Sequence, residues 1–84
     1  MHSKNKLKKI VDNFLIKKEG KKVFKNITKK KLVSDGILDS LDIFTLATII
    51  ENKTKKKIKI TDNKVFKKFE KYKELIKLVW KYII

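Results

Sequence analysis

The sequence has no cysteine, no arginine and no proline, and its single histidine is His2. Without cysteine the chain can form neither a disulfide framework nor a cysteine metal site. One histidine is too few for a histidine metal centre. At the N-terminus it also leaves no Ser-His pair in which a serine could be activated as a nucleophile. We therefore expect a protein that is not an enzyme and that performs no catalysis of its own.

Long hydrophobic runs are also missing. The longest apolar stretches, 43–50 and 78–84, are interrupted by polar residues and are far shorter than the roughly 20 residues that span a bilayer. The lysine-rich N-terminal stretch leads into no apolar signal segment. Eighty-four residues suffice for one modest core. We expect a single cytoplasmic domain over 1–84, monomeric and without stable membrane insertion.

The positive charge comes from lysine alone. The chain has 24 lysines against nine acidic residues, which gives a net charge of +15. Such a charge is typical of modules that bind nucleic acid or an anionic membrane surface, and this is the alternative function that composition favours. Nucleic-acid interfaces, however, favour arginine for bidentate contacts. We interpret most of the lysine as a solvated surface produced by AT-rich coding, and we expect no nucleic-acid partner.

Apolar spacing predicts the first helix over 4–19. Its apolar residues recur at intervals of three and four, with lysines on the other faces; they are Leu7, Ile10, Val11, Phe14 and Leu15. Ser3 is the expected N-cap and Gly20 the stop. Residues 20–38 have no clean period but are too apolar for a disordered tether, so we predict a long ordered loop pinned across the helix ends.

The second helix is predicted to begin at Asp39 or Ser40, with Asp39 as its cap, and to end near Asn52. Its core stripe consists of Ile43, Leu46, Ala47 and Ile50. Leu41, Phe44 and Thr48 form a second stripe on another face of the helix. Two alternatives are open for this stripe: the long loop folds over Leu41 and Phe44, or the two side chains form a patch for a partner.

Two further helices are predicted after a lysine-dense connector. Ile58-Lys59-Ile60 alternates and would pin the chain to the core, and Thr61 or Asp62 would cap the next helix. A short third helix and a longer fourth one then follow from apolar residues three and four apart; these are Phe66, Phe69, Tyr72, Ile76, Val79 and Ile83, with Leu75 and Tyr82 widening the stripe.

The segment from Leu32 to Asn52 is the one part of the chain where composition and periodicity change together. It has no lysine and carries four carboxylates, at Asp35, Asp39, Asp42 and Glu51. Its charge is therefore −4, and the rest of the chain carries +19. We interpret this lysine-free segment as a surface kept distinct for a partner.

Ser40 stands at the head of the predicted second helix. The simplest explanation is a capping role, because serine is favoured at and near N-caps. The alternative is covalent modification, because the hydroxyl would be exposed and the helix N-terminus would stabilise an attached phosphate. A catalytic nucleophile is disfavoured, since no base lies near it in sequence.

Residues 35–42, Asp-Gly-Ile-Leu-Asp-Ser-Leu-Asp, are followed by an apolar helix that ends in Ile49-Ile50-Glu51. In this respect the chain resembles the acyl carrier proteins, in which the serine of an Asp-Ser-Leu motif opening helix 2 receives 4′-phosphopantetheine. The resemblance covers nearly the whole chain, including the first amphipathic helix, the long loop and the apolar positions from Phe66 to Val79. It implies an all-α four-helix bundle with a long loop between helices 1 and 2 and a short helix 3.

By this resemblance Ser40 would carry a phosphopantetheine arm, whose thiol supplies the sulfur that the chain lacks and holds acyl or aminoacyl groups as thioesters. The partners would be a phosphopantetheinyl transferase and the enzymes that load and unload the arm. The residues read by these partners would be Asp35, Asp39, Leu41, Asp42, Phe44 and Glu51.

Such carriers are usually acidic overall, whereas this chain is basic. Thr45, Thr48 and Asn52 also leave its second helix with fewer carboxylates than is common in the family, and Thr54 stands where a large apolar residue often closes the helix. We therefore expect a carrier for one specialised pathway of lipid or secondary-metabolite biosynthesis rather than for general fatty-acid synthesis.

Overall fold

The computed structural model describes residues 4–81. These residues form four α-helices and no β-strand: α1 (Lys4–Glu19), α2 (Ser40–Thr54), α3 (Asn63–Lys67) and α4 (Tyr72–Trp80). The all-α class is confirmed, as are a short third helix and a longer fourth. The predicted cap Ser3 and the predicted apolar positions Tyr82 and Ile83 lie outside the described residues.

The first helix has the predicted bounds and buries a single stripe. Leu7, Val11 and Leu15 are fully buried at successive spacings of four, which is the periodicity that places side chains on one helix face. Gly20 follows the last turn with a φ of +80°, a conformation that L side chains rarely adopt, and its N–H donates to the Ile16 carbonyl at 2.7 Å. Glycine therefore ends α1, as predicted.

The connection between α1 and α2 is ordered, as predicted, and it contains two short 3₁₀ turns, Lys21–Phe24 and Ile27–Lys29. Its apolar side chains belong to the core: four of them are buried, namely Val23, Leu32, Ile37 and Leu38. Their burial fixes the approach to α2, because a loop that contributes to the core cannot move without exposing apolar surface.

The predicted core stripe of α2 is confirmed, since Ile43, Leu46, Ala47 and Ile50 are all buried. From the C-terminal half of the chain, the core receives Ile58, Phe69 and the buried face of α4, which consists of Leu75, Ile76, Leu78 and Val79. Asp62 caps α3 by accepting the Lys64 N–H at 2.9 Å, so the second of the two predicted caps is the one used.

Side-chain contacts fix how α1 lies against its neighbours. Lys18, near the C-terminal end of α1, pairs with Asp42 at the start of α2, whereas Ile10 lines a groove with Ile49 farther along α2. The two helices therefore run antiparallel. The helix α4 also runs antiparallel to α1, since Tyr72 contacts Asp12 and Trp80 contacts Lys4. No helix within the described range is long and apolar enough to cross a membrane.

The excess of lysine predicts a salt-dependent stability. With 24 lysines and nine acidic side chains, most lysines have no partner of opposite charge, and they repel one another over about 30 Å at 0.01 M ionic strength but only about 8 Å at 0.15 M. We expect the melting temperature, followed by circular dichroism at pH 7, to rise between these two salt concentrations. An unchanged or lower melting temperature would contradict this prediction.

Candidate functional site

The start of α2 is fixed by a reciprocal pair of hydrogen bonds between Asp39 and Asp42. Asp39 is the N-cap, and its Oδ1 accepts the N–H of Asp42 at 2.8 Å. Asp42 returns the contact, because its Oδ2 accepts the N–H of Asp39 at 3.0 Å. This arrangement is a capping box with aspartate at both positions. The prediction that Asp39 caps α2 is confirmed.

Ser40 is the first residue of α2 and is exposed to solvent. Because Asp39 occupies the cap position, the Ser40 hydroxyl does not cap the helix, and it makes no hydrogen bond within residues 4–81. The backbone N–H groups of Ser40 and Leu41 likewise have no acceptor in the described part of the chain. The capping explanation for Ser40 therefore fails, and an exposed hydroxyl stands beside two free N–H donors at a helix N-terminus.

A lysine reaches this site from α1. Lys18 Nζ lies 3.0 Å from Asp42 Oδ2, which ties the last turn of α1 to the first turn of α2. Partial burial opposes ionisation of Asp42, but the hydrogen bond from the Asp39 backbone and the Lys18 ammonium outweigh it, so the pKa of Asp42 is lowered. The hydrogen bond to Asp42 correspondingly raises the pKa of Lys18. Both groups are thus charged at neutral pH.

A carboxylate distant in sequence holds the loop that precedes Ser40. Glu70, between α3 and α4, accepts the N–H of Val33 at 2.8 Å and that of Ser34 at 2.9 Å, both on Oε1. Its Oε2 accepts the Ser34 hydroxyl at 2.6 Å. The hydrogen bonds from Ser34 and Val33 lower the pKa of Glu70, partial burial opposing them. We call these contacts the Glu70 clamp.

Backbone hydrogen bonds extend the Glu70 clamp to the site. The Leu32 N–H donates to the Glu70 carbonyl at 2.6 Å, and the Leu38 N–H donates to the Leu32 carbonyl at 2.8 Å. Leu38 immediately precedes the cap Asp39. The segment between α3 and α4 therefore positions Leu38, and through it the start of α2.

Two large apolar side chains of α2 face solvent beside Ser40. Leu41 is 72% exposed and Phe44 is 59% exposed. The alternative in which the long loop folds over them is wrong, because the loop places its own apolar residues in the core instead. Thr45 and Thr48 donate their hydroxyls to the Leu41 and Phe44 carbonyls at 2.9 Å, so this face presents apolar groups rather than free hydroxyls.

The other carboxylates predicted to face partners also make contacts within the chain. Asp35 is exposed and its Oδ2 accepts the Lys31 N–H at 2.9 Å. Glu51 is half-buried and its Oε2 accepts the Ile58 N–H at 2.5 Å, which ties the connector after α2 to the helix. The structure thus brings Asp39 and Asp42 together in the first turn of α2, leaves Asp35 in the loop before the helix, and places Glu51 near the opposite end of α2. Their roles in recognition stay predictions.

Lys18 and Glu70 belong to the site although the sequence analysis did not single them out. Nothing in the sequence distinguishes Lys18 from the lysine beside it. Glu70 carries a weak signal, as an acidic residue within the run Lys67-Lys68-Phe69-Glu70-Lys71.

In comparisons with known proteins, the chain matches no family model, no curated protein and no solved structure.

The lowered pKa of Asp42 predicts a pH-dependent contribution to stability. Asp42→Asn keeps an oxygen that can accept the Asp39 N–H but loses the charge beside the helix N-terminus, so at pH 7 we expect the free energy of unfolding to fall by about 1 kcal/mol. Because the pKa is lower in the folded state, the advantage of the carboxylate is complete above its ordinary value of 3.8 and is lost as pH falls through the folded-state pKa.

The test is urea unfolding of wild type and Asp42→Asn at pH 7 and at progressively lower pH values below 4. We expect the difference between the two proteins to shrink toward the acidic end. Lys18→Gln is the control, since it removes the ion pair alone and should lose less stability at pH 7. A wild-type advantage that stays constant down to the lowest pH would contradict the assignment.

The Glu70 clamp predicts a large difference between two nearby glutamates. Glu70→Ala removes three hydrogen bonds to a carboxylate that join the loop to the segment between α3 and α4, and we expect a loss of about 1–3 kcal/mol in the free energy of unfolding. Glu74→Ala removes only a 3.6 Å ion pair with Lys68, and such surface pairs contribute about 0–1 kcal/mol. Urea unfolding of both variants at pH 7 measures the difference, and equal losses would refute the clamp.

Proposed function

We propose that the protein is an acyl carrier protein in which Ser40 carries a 4′-phosphopantetheine arm that holds acyl or aminoacyl groups as thioesters. The observation that carries the proposal is that Ser40 opens α2 with an exposed hydroxyl and no hydrogen bond in the described chain, while Asp39 caps the helix in its place. A serine in the first turn whose hydroxyl serves the fold would normally be engaged by a backbone N–H. The resemblance of residues 35–42 to the Asp-Ser-Leu motif of carriers agrees with this.

The local electrostatics suit a phosphodiester on the Ser40 oxygen. The free N–H groups of Ser40 and Leu41 and the positive end of the α2 dipole favour a negative group at this position. Of the two nearest carboxylates, Asp42 is paired with the Lys18 ammonium, which offsets its charge. A phosphate can thus be accommodated at the surface without rearranging the capping box.

The chain does not activate Ser40 itself. The carboxylates of Asp39 and Asp42 accept backbone amides and are held in that role by the helix start. In the transfer, the Ser40 oxygen attacks the pantetheine-bearing phosphate of coenzyme A, the pyrophosphate bond breaks and 3′,5′-ADP leaves, while a base of the transferase takes the hydroxyl proton. The chain contributes the exposed nucleophilic oxygen, a rigid helix start and a docking surface, and the arm supplies the thiol.

The docking surface is centred on Leu41 and Phe44. Their side chains are 72% and 59% exposed and lie one helical turn apart on one face of α2. The resemblance to carriers assigns this face to partner binding. The absence of lysine from 32–52 keeps this face compatible with a basic partner. Because Asp42 and Glu51 already make contacts within the chain, Leu41 and Phe44 should contribute more to partner binding than the carboxylates do. A docking surface dominated by two apolar side chains agrees with a carrier that serves one specialised pathway and its own partner enzymes.

The proposal predicts that a transferase modifies one serine of the chain and not another close to it. Wild type, Ser40→Ala and Ser34→Ala are incubated with coenzyme A, magnesium and a broad-specificity phosphopantetheinyl transferase, and their intact masses are measured. Ser34 is a matched control, since it is also exposed but its hydroxyl is bound to Glu70. We expect wild type and Ser34→Ala to gain one phosphopantetheine group and Ser40→Ala to gain none.

Modification of Ser40→Ala would refute the assignment of the site. If wild type gains nothing from the transferase and is also unmodified when isolated from its natural host, the carrier function is refuted.

A further inference from the structure

A second surface feature lies at the opposite end of α1 from Ser40. Between α1 and α4 is an open groove of about 230 Å³, which we call the Trp80 groove. Its floor is apolar and lysines stand around it; the lining residues are Lys8, Tyr72, Lys73, Ile76, Lys77 and Trp80. Lys4, which contacts Trp80, and Lys18, which contacts Asp42, are fourteen positions apart in α1; this corresponds to about 21 Å along the helix.

The charge around the Trp80 groove is positive and largely uncompensated. Lys73 and Lys77 are exposed one helical turn apart and have no carboxylate partner within residues 4–81. Lys4 places its ammonium 5.0 Å from the centre of the Trp80 ring. The carboxylate of Asp12 is neutralised locally, since it is 2.8 Å from Lys8 Nζ and accepts the Tyr72 hydroxyl at 2.6 Å.

We propose that the Trp80 groove binds the surface of an anionic lipid bilayer. Tryptophan and tyrosine with their apolar bodies at a rim of lysines form the combination that suits the headgroup region, where an aromatic ring meets the acyl boundary and ammonium groups meet phosphate. Complementarity of charge supplies the attraction, because Lys73 and Lys77 are exposed beside the aromatic rings and the Lys4 ammonium lies over the Trp80 ring. The binding is peripheral, since the apolar face of α4 is used in the core.

The contacts of the aromatic rings favour a lipid surface over a nucleic acid. Proteins that bind single-stranded nucleic acid through aromatic residues need ring faces on which bases can stack. Here the Trp80 ring is covered by the Lys4 ammonium. The Tyr72 ring has Lys8 Nζ at 5.9 Å and packs edge-on against Phe24, with centroids 6.3 Å apart. A lysine ammonium thus lies over a face of each ring, in the place that a stacked base would need.

This inference goes beyond the carrier function and does not depend on it, because it involves no residue of the Ser40 site. Trp80 is the only tryptophan in the chain, so its fluorescence reports on the groove directly. Wild type is titrated with vesicles of equal parts phosphatidylglycerol and phosphatidylcholine, and with vesicles of phosphatidylcholine alone. We expect a blue shift of Trp80 emission with the anionic vesicles only, reversed by added salt.

Two double variants with the same loss of charge separate the groove from the diffuse charge of the protein. Lys73→Gln with Lys77→Gln removes the exposed lysines of the groove, and we expect affinity for the anionic vesicles to fall by at least about tenfold. Lys17→Gln with Lys21→Gln removes exposed lysines at the Ser40 end of α1, and we expect a loss of about twofold or less. Circular dichroism checks that each variant is folded, and Ser40→Ala should bind as wild type does.

Three outcomes would overturn the proposal. Equal losses in the two double variants would assign any binding to net charge rather than to the Trp80 groove. Vesicle binding without a shift of Trp80 emission would place the contact elsewhere on the protein. Tighter binding to single-stranded RNA than to the anionic vesicles, with the same dependence on Lys73 and Lys77, would assign the groove to a nucleic acid.

Discussion

The reciprocal hydrogen bonds between Asp39 and Asp42 are the constraint on which the Ser40 site depends. They decide which residue satisfies the N-terminus of α2, and by giving that role to Asp39 they leave the next hydroxyl unoccupied. The ion pair with Lys18 then fixes the same turn to α1. The geometry around Ser40 is thus held by two aspartates and a lysine, while the Ser40 hydroxyl makes no hydrogen bond to residues 4–81.

The protein has many lysines and few acidic residues, and several of its carboxylates accept backbone hydrogen bonds as well as carrying charge. Each of Asp39, Asp42, Glu51 and Glu70 accepts at least one backbone N–H that would otherwise lack a partner. In a chain of net charge +15, a carboxylate that ties two segments together has a double effect, since it also offsets nearby ammonium groups. These four of the nine acidic residues therefore stand where segments are joined or a helix begins.

Local features of the fold could be predicted from the sequence, and features that join distant segments could not. The bounds of α1, the cap Asp39 and the buried face of α2 follow from apolar spacing and capping chemistry within a few residues. The Glu70 clamp joins residues 36 and 37 positions apart, and no periodic pattern marks it. At the site, Ser40 was singled out by its motif, whereas the exposure of Leu41 and Phe44 was decided by where the long loop places its own apolar residues.

Because α1 packs antiparallel to both α2 and α4, Ser40 and Trp80 lie beside opposite ends of α1. The only tryptophan, Trp80 at the end of α4, lies beside the N-terminal end of α1. The chain has no cysteine, so a thiol introduced by an arm on Ser40 would be the single point of attachment for a dye. Energy transfer between the two would measure the length of the bundle directly. It would show whether the helix ends stay in register when a partner engages α2.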